Sequence, residues 1–204
     1  MASHKGRAPR TSRTERAGTD VRGVPGATDQ DHATDPEARA RQICLRLLTL
    51  APRTRAQLAS ALRDRGVPDD AAHAVLDRFA DVGLIDDAAF ARAWVESRHY
   101  SRGLAGRALR DELRQRGVGD DQIKDAIEDL GPDAEVATAR RLVERKLAGT
   151  RGLPSEARIR RLAGMLARKG YPVGLAFRVV REALETEGAE IEETCFDDLD
   201  TYTE

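Results

Sequence analysis

The stretch Leu113-Arg114-Gln115-Arg116-Gly117-Val118 repeats a pattern met earlier at Leu62-Arg63-Asp64-Arg65-Gly66-Val67, and it returns at Leu166-Ala167-Arg168-Lys169-Gly170-Tyr171. Each copy places a leucine four residues ahead of a glycine, basic residues between them and an apolar residue after. The glycines stand 51 and 53 residues apart. Downstream of each, apolar side chains recur at matching offsets: Val75, Leu76 and Phe79; Ala126, Ile127 and Leu130; then Val179, Val180 and, one step later, Leu184. One helix–glycine–helix joint is common, but three at near-constant spacing define a repeat. A unit of roughly fifty residues buries too little by itself, so neighbours must extend its core. The pattern predicts an all-α chain of three tandem three-helix repeats in an elongated, curved array.

Punctuation around these joints predicts nine helices. Asp35-Pro36-Glu37 is a start signal, with a capping acid, a proline at the first helical position and an acid in the first turn. The first helix, 38–50, would carry Ile43, Leu47 and Leu50 inward and stop at Ala51-Pro52. Thr54 and Gln57 form a capping-box pattern ahead of Leu58 and Leu62, and Gly66 ends that helix. The third spans 68–82, with Gly83 after it. Asp86 caps the fourth, whose inward set is Phe90, Trp94 or Val95, and Tyr100. Helices at 104–116, 120–130, 134–147, 155–169 and 172–187 complete the set. The corresponding units are 35–84, 85–131 and 132–187. They are flanked by a disordered basic arm at 1–34, too polar to offset chain entropy, and a disordered acidic tail at 188–204.

Of 204 residues, 40% are hydrophobic, 4% aromatic and 34% charged, which suits a thin Leu/Ala/Val core built by stacking helices. The net charge of −1 conceals a segregation. The first 36 residues carry +1 and the last twenty −9, which leaves +7 on the middle. No stretch approaches the ~18 apolar residues of a membrane span, and Met1–Arg16 lacks the apolar core of a secretory signal. Cys44, in an apolar helical pattern, and Cys195, in the acidic tail, are not expected to pair. A cytoplasmic monomer is expected.

Catalytic chemistry is missing. The chain has no phosphate-binding glycine loop, dinucleotide fingerprint, HExxH or paired-cysteine motif. His4 and His32 lie in the arm; His73 and His99 stand alone on separate helices, without a ligand at metal spacing, and are read as exposed or half-packed. Asp69-Asp70, Asp86-Asp87 and Asp120-Asp121 sit at helix starts, where capping and the dipole account for them. No enzyme activity, cofactor or metal is expected.

The basic residues carry more information. Arg107, Arg110 and Arg114 recur at helical spacing and share a face, as do Arg141 and Arg145. One reading makes them solvated surface, partly neutralised by Glu112 and Glu144. The other makes them a cationic face for a polyanion or an acidic protein groove. Phe90 and Trp94, four apart, are read as core. Tyr100, beside Arg98 and Arg102, is read as partly exposed and a contact point.

At the joint between the first two units, Gly83-Leu84-Ile85-Asp86-Asp87-Ala88-Ala89-Phe90-Ala91 resembles the signature of the RecX family, bacterial regulators of the RecA recombinase. Arg98, Gly103, Gly106, Leu109, Glu112-Leu113 and Arg116-Gly117-Val118 stand in the family's order and spacing. So do Leu58, Leu62 and Gly66 upstream, and Ala139, Lys146, Arg161, Leu162 and Gly170-Tyr171 downstream; the resemblance covers about residues 37–186. It implies a protein that binds in the groove of the RecA filament on single-stranded DNA. Such a protein restrains RecA's ATPase, recombinase and coprotease activities, within DNA repair and the SOS response, and some members bind DNA. The arm and the tail have no counterpart in this pattern.

Combined with the cationic body, this assigns Arg98, Tyr100, Arg102, Arg107, Arg110, Arg114, Arg141 and Arg145 to the partner-binding face. The tail is expected to compete for that face, so removing 187–204 should strengthen binding. Two other readings stay open: a helix-turn-helix-like DNA-binding protein, suggested by the glycine joints, and a helical scaffold for another partner.

Overall fold

In the computed structural model of the protein, which describes residues 35–188, the start signal at Asp35 operates as such. The Asp35 carboxylate accepts the Glu37 N–H at 2.9 Å, and Pro36 opens α1 (Pro36–Leu50). The basic arm and the acidic tail, with His4, His32 and Cys195, lie outside the described residues. Thr54 and Gln57 make the reciprocal capping box of α2 (Arg55–Arg63). Then come α3 (Asp69–Asp81), α4 (Asp87–Arg102), α5 (Gly106–Gln115), α6 (Asp120–Glu128), α7 (Pro132–Leu147), α8 (Ser155–Arg168) and α9 (Val173–Thr186), with one 3-10 turn, Ala148–Thr150, after α7. The described residues contain these nine helices and no strand.

Each group of three helices closes its own core. Cys44, Leu58, Leu62, Leu76 and Phe79 fill the first, and Val95, Leu109, Leu113 and Ile123 the second. Val143, Ile159, Leu162, Leu166, Val179 and Leu184 fill the third. Burial pushes the Cys44 thiol up, so it packs as a small apolar group.

The three leucine–glycine motifs fold into the same turn. The N–H of Val67, Val118 and Tyr171 returns to the carbonyl of Leu62, Leu113 and Leu166 at 3.1, 3.2 and 3.2 Å. Each glycine N–H bonds three residues back at 2.9 Å. This double closure needs a left-handed residue between its two bonds, hence glycine, and lets the apolar residue fold back on the leucine.

The turns of the second and third repeats do a further job. Arg116 C=O accepts the Thr54 hydroxyl at 2.6 Å, and a Cβ on Gly117 would stand 2.3 Å from that of Ala56. Lys169 C=O accepts the Ala105 N–H at 2.9 Å, and a Cβ on Gly170 would stand 2.5 Å from the Ala108 nitrogen. In both cases the turn of one repeat seats on the start of the second helix of the repeat before. Further bonds reinforce each seat. The Arg55 N–H donates to Asp87 at 2.9 Å in the first. In the second, Lys169 Nζ donates to Arg102 C=O at 2.5 Å and the buried Tyr171 hydroxyl to Gly103 C=O at 3.2 Å. Burial, then the nearby Glu135 charge, pushes the Tyr171 phenol up to about 12, so it stays a donor.

Several expectations are corrected. Leu50 is 73% exposed. The inward stripe of α1 centres on the small residues Ala40 and Cys44, and six residues past Cys44 is about 120° off that line at ~100° per residue. On α4 the buried set is Ala91, Val95 and His99; Phe90 and Trp94 are half-buried flanks of the core, and Tyr100 points out. His99 is neither exposed nor half-packed but buried. Of the acidic pairs, Asp86 caps α4, but the N-caps of α3 and α6 are Pro68 and Gly119, so the pairs there lie in the first turn without capping. Asp87 is spent on holding Arg55; burial raises its carboxyl against that N–H and charge.

Glu187, the last residue of the third unit and the first of the expected 187–204 deletion, closes the third repeat. Its carboxylate takes Arg151 Nε at 2.5 Å and also the guanidinium of buried Arg158, whose Nε reaches Thr150 at 3.1 Å. A deletion that leaves the fold intact therefore starts after Gly188.

These contacts set two expected outcomes. Gly170→Ala should lose about 2–5 kcal/mol in urea unfolding, from left-handed strain plus overpacking. Gly66→Ala, with no atom within 4 Å of its would-be Cβ, should lose about 1–2 kcal/mol, from strain alone. Equal losses would refute the seating role. The bonds from Arg158 and then Arg151 hold the Glu187 carboxyl below its usual 4.5. A lowered carboxyl stabilises fully above its unfolded value, and the effect disappears as pH falls through the folded value. Glu187→Gln should thus be less stable than the parent at pH 7, the gap closing in acid; a gap of constant size from pH 7 to 3 would contradict this.

Candidate partner-binding surface

The first helices of successive repeats, α4 and α7, leave a groove of about 620 Å³ between them, lined by Arg92, Tyr100, Leu130, Ala134, Thr138 and Arg141 among others. The local sequence sets its shape. Gly103 ends α4 in a left-handed turn, which leaves Tyr100 in the last turn and 78% exposed. Small residues on α7, Ala134 and Ala137, open the wall that faces it. An adjoining depression of about 270 Å³ carries Tyr100, Arg102, Arg141 and Arg145.

His99 anchors the floor. Leu104 C=O, 2.8 Å from Nδ1, only accepts, so Nδ1 carries the proton. In the neutral ring Nε2 then accepts, and the Thr138 hydroxyl donates to it at 2.8 Å. The same Thr138 oxygen accepts from Arg141 Nη2 at 2.9 Å. One line of hydrogen bonds thus runs from a buried joint between repeats to a surface guanidinium, which lies 6.0 Å from the Tyr100 ring. Arg141 and Arg145 have no carboxylate within ion-pair distance among the described residues.

The other expected contact residues lie elsewhere. The Arg98 guanidinium stacks 4.0 Å over Trp94, and its Nε is 3.8 Å from Glu112, which accepts the Trp94 indole N–H at 2.8 Å. Arg102, which also lines the smaller depression, approaches the same carboxylate at 4.0 Å. Arg107, Arg110 and Arg114 run along one side of α5, opposite buried Leu109 and Leu113, and line neither depression; Arg114 pairs with Asp120 at 2.9 Å. Of the signature residues, Ile85 is buried, Leu84 is half-exposed, Asp86 caps and Phe90 stacks on Trp94 at 5.8 Å. Sequence reasoning missed Thr138, and it named Arg116 without foreseeing its place 3.7 Å from the Trp94 centroid. Both act across long sequence separations that no local pattern reveals.

Among the described residues no three His, Cys, Asp or Glu side chains come together to hold a metal, and no helix is long and apolar enough to cross a membrane.

Family models of three successive RecX three-helix domains match this chain, the first over residues 40–79, the second over 86–127 and the third over 133–180. The regulatory protein RecX of Thermobifida fusca is 60% identical over 178 residues, covering 87% of this chain and 95% of that protein. The chain belongs to the RecX family. The regulatory protein RecX of Streptomyces coelicolor is 58% identical over 173 residues, covering 82% and 92%. A crystal structure of RecX from Lactobacillus salivarius shares the fold at a TM-score of 0.69 and 18% identity, over 72% of this chain and 96% of that one. A second RecX crystal structure does so at 0.67 and 23%, over 78% and 80%. The RecX relatives are named as regulatory proteins, with no catalytic activity in the name.

Thr138→Val should cost about 1–3 kcal/mol in urea unfolding, because it leaves His99 Nε2 without its partner in a buried site. It should also release Arg141, seen as averaging of its guanidinium NMR signals. A neutral substitution would contradict the bonded line.

Proposed function

We propose that this RecX-family chain binds the RecA filament on single-stranded DNA and restrains its ATPase, recombinase and coprotease activities. This places it in the control of DNA repair and the SOS response, as a monomer in the cytoplasm. The observation that carries the reading is the groove between the second and third repeats. There an exposed tyrosine and two arginines without carboxylate partners among the described residues, Arg141 and Arg145, gather beside Arg102. Exposed aromatic and arginine side chains are the types that anchor protein interfaces. Tandem repeats multiply such weak contacts along a periodic partner, where they sum as avidity.

The helix-turn-helix reading fares worse on charge. It would put α3 or α6 into a DNA groove, yet α3 exposes Asp69, Asp70, Asp77 and Asp81, and α6 exposes Asp120, Asp121, Asp125 and Glu128. Phosphates repel such faces. The first and second helices of the three repeats carry the excess of basic side chains instead.

Titrating the protein into RecA on single-stranded DNA with ATP should lower ATPase at substoichiometric amounts; no effect would overturn the RecA assignment. Replacing Arg102, Arg141 and Arg145 together with Glu should weaken inhibition at least ~tenfold, the equivalent of ~1.4 kcal/mol, with helicity unchanged by circular dichroism. Full inhibition by that variant would remove the groove from the interface.

A further inference from the structure

A second groove, of about 530 Å³, lies between α1 and α4 at the boundary of the first two repeats. Its walls are apolar: Leu48, Leu84, Ala89, Phe90, Ala93 and Trp94, and Leu84 is 49% exposed among the described residues. Its rim is cationic. Arg53 lines it, and Arg98 and Arg116 stack on Trp94. All three have a buried Nε without a hydrogen-bond acceptor. The carboxylates nearby are already engaged. Asp86 caps Ala89, and Glu112 takes the Trp94 indole while facing Arg98 and Arg102. The groove between α4 and α7 includes Glu96 and Asp129 among its lining, whereas the one carboxylate lining this groove is the capping Asp86.

A nucleic-acid base fits this site poorly. Two guanidinium carbons 4.0 and 3.7 Å from one ring centroid cannot share a face, so both faces of Trp94 are covered. The guanidinium edges stay available, and they suit carboxylates. The ligand that matches is a peptide with apolar side chains between acids. This chain carries one: Glu190-Ile191-Glu192-Glu193-Thr194-Cys195-Phe196-Asp197-Asp198-Leu199-Asp200.

We infer that the acidic C-terminal segment of this chain docks in the α1–α4 groove, with Phe196 or Leu199 in the apolar slot and its acids on Arg53, Arg98 and Arg116. This gives the tail a specific seat distinct from the α4–α7 groove proposed for RecA, and its test uses no RecA, so either reading fails without the other.

Trp94 is the single tryptophan of the chain and lines the groove, so its emission reports occupancy. In the full-length protein at low salt, acrylamide quenching of Trp94 should be weak. Phe196→Ala with Leu199→Ala, changes outside the described fold, should raise the quenching constant at least ~twofold, and so should high salt, which screens the ion pairs. Arg53→Glu should do the same, with circular dichroism unchanged. A synthetic peptide of residues 189–204 added to the Phe196/Leu199 variant should restore protection. Equal quenching in the full-length protein and that variant would overturn the proposal. So would protection that fades on dilution, which would identify the occupant as the tail of a second copy.

Discussion

Everything in this structure depends on how close a glycine turn can come to a helix start. At Gly117 and Gly170 the backbone of one repeat meets the second helix of the preceding repeat at distances that leave no room for a methyl group. The carbonyl just ahead of each glycine is then within hydrogen-bond range of that helix start, from Thr54 in one case and Ala105 in the other. Three small cores, each from three short helices, would be marginal alone. Seated on one another through these turns, they act as a continuous body, and the grooves between α1, α4 and α7 are fixed by the same registration.

Those grooves matter because they place unlike residues side by side. Tyr100 and Arg141 are 41 residues apart in the chain and belong to different repeats, yet share one depression because His99 and Thr138 tie α4 to α7 beneath them. The cationic character of the middle of the chain is likewise distributed unevenly. It gathers on the first and second helices of the repeats, while the third helices of the first two repeats present carboxylates. A net charge of +7 by itself describes a uniformly basic surface; the fold makes a patterned one.

The repeat is legible in the sequence because it is written in local code. The leucine four before the glycine, the apolar residue after it and the Thr54/Gln57 box each act within one turn of helix, and each forms the bonds its pattern implies. What escapes reading depends on partners far along the chain. His99 looks solitary because its partner Thr138 is 39 residues away, and Asp87 looks like a cap because nothing local shows that it holds Arg55. Spacing alone puts Trp94 in the core. The guanidinium groups of Arg98 and Arg116 are what make its half-buried position stable. The surface arginines are the hardest case, since helical spacing shows that side chains share a face but not which neighbour that face meets.

The seating rule has an asymmetric remainder. Gly66 makes the same turn as its counterparts, but no described residue stands within 4 Å of its would-be Cβ. At the other end α8 offers a helix start on which no later turn sits among the described residues. The body therefore has a head and a foot that are chemically different, like the two ends of a vector. A chain laid along any periodic partner has only one polarity that presents its grooves in the right sequence, and contacts learned in one orientation do not transfer to the reverse.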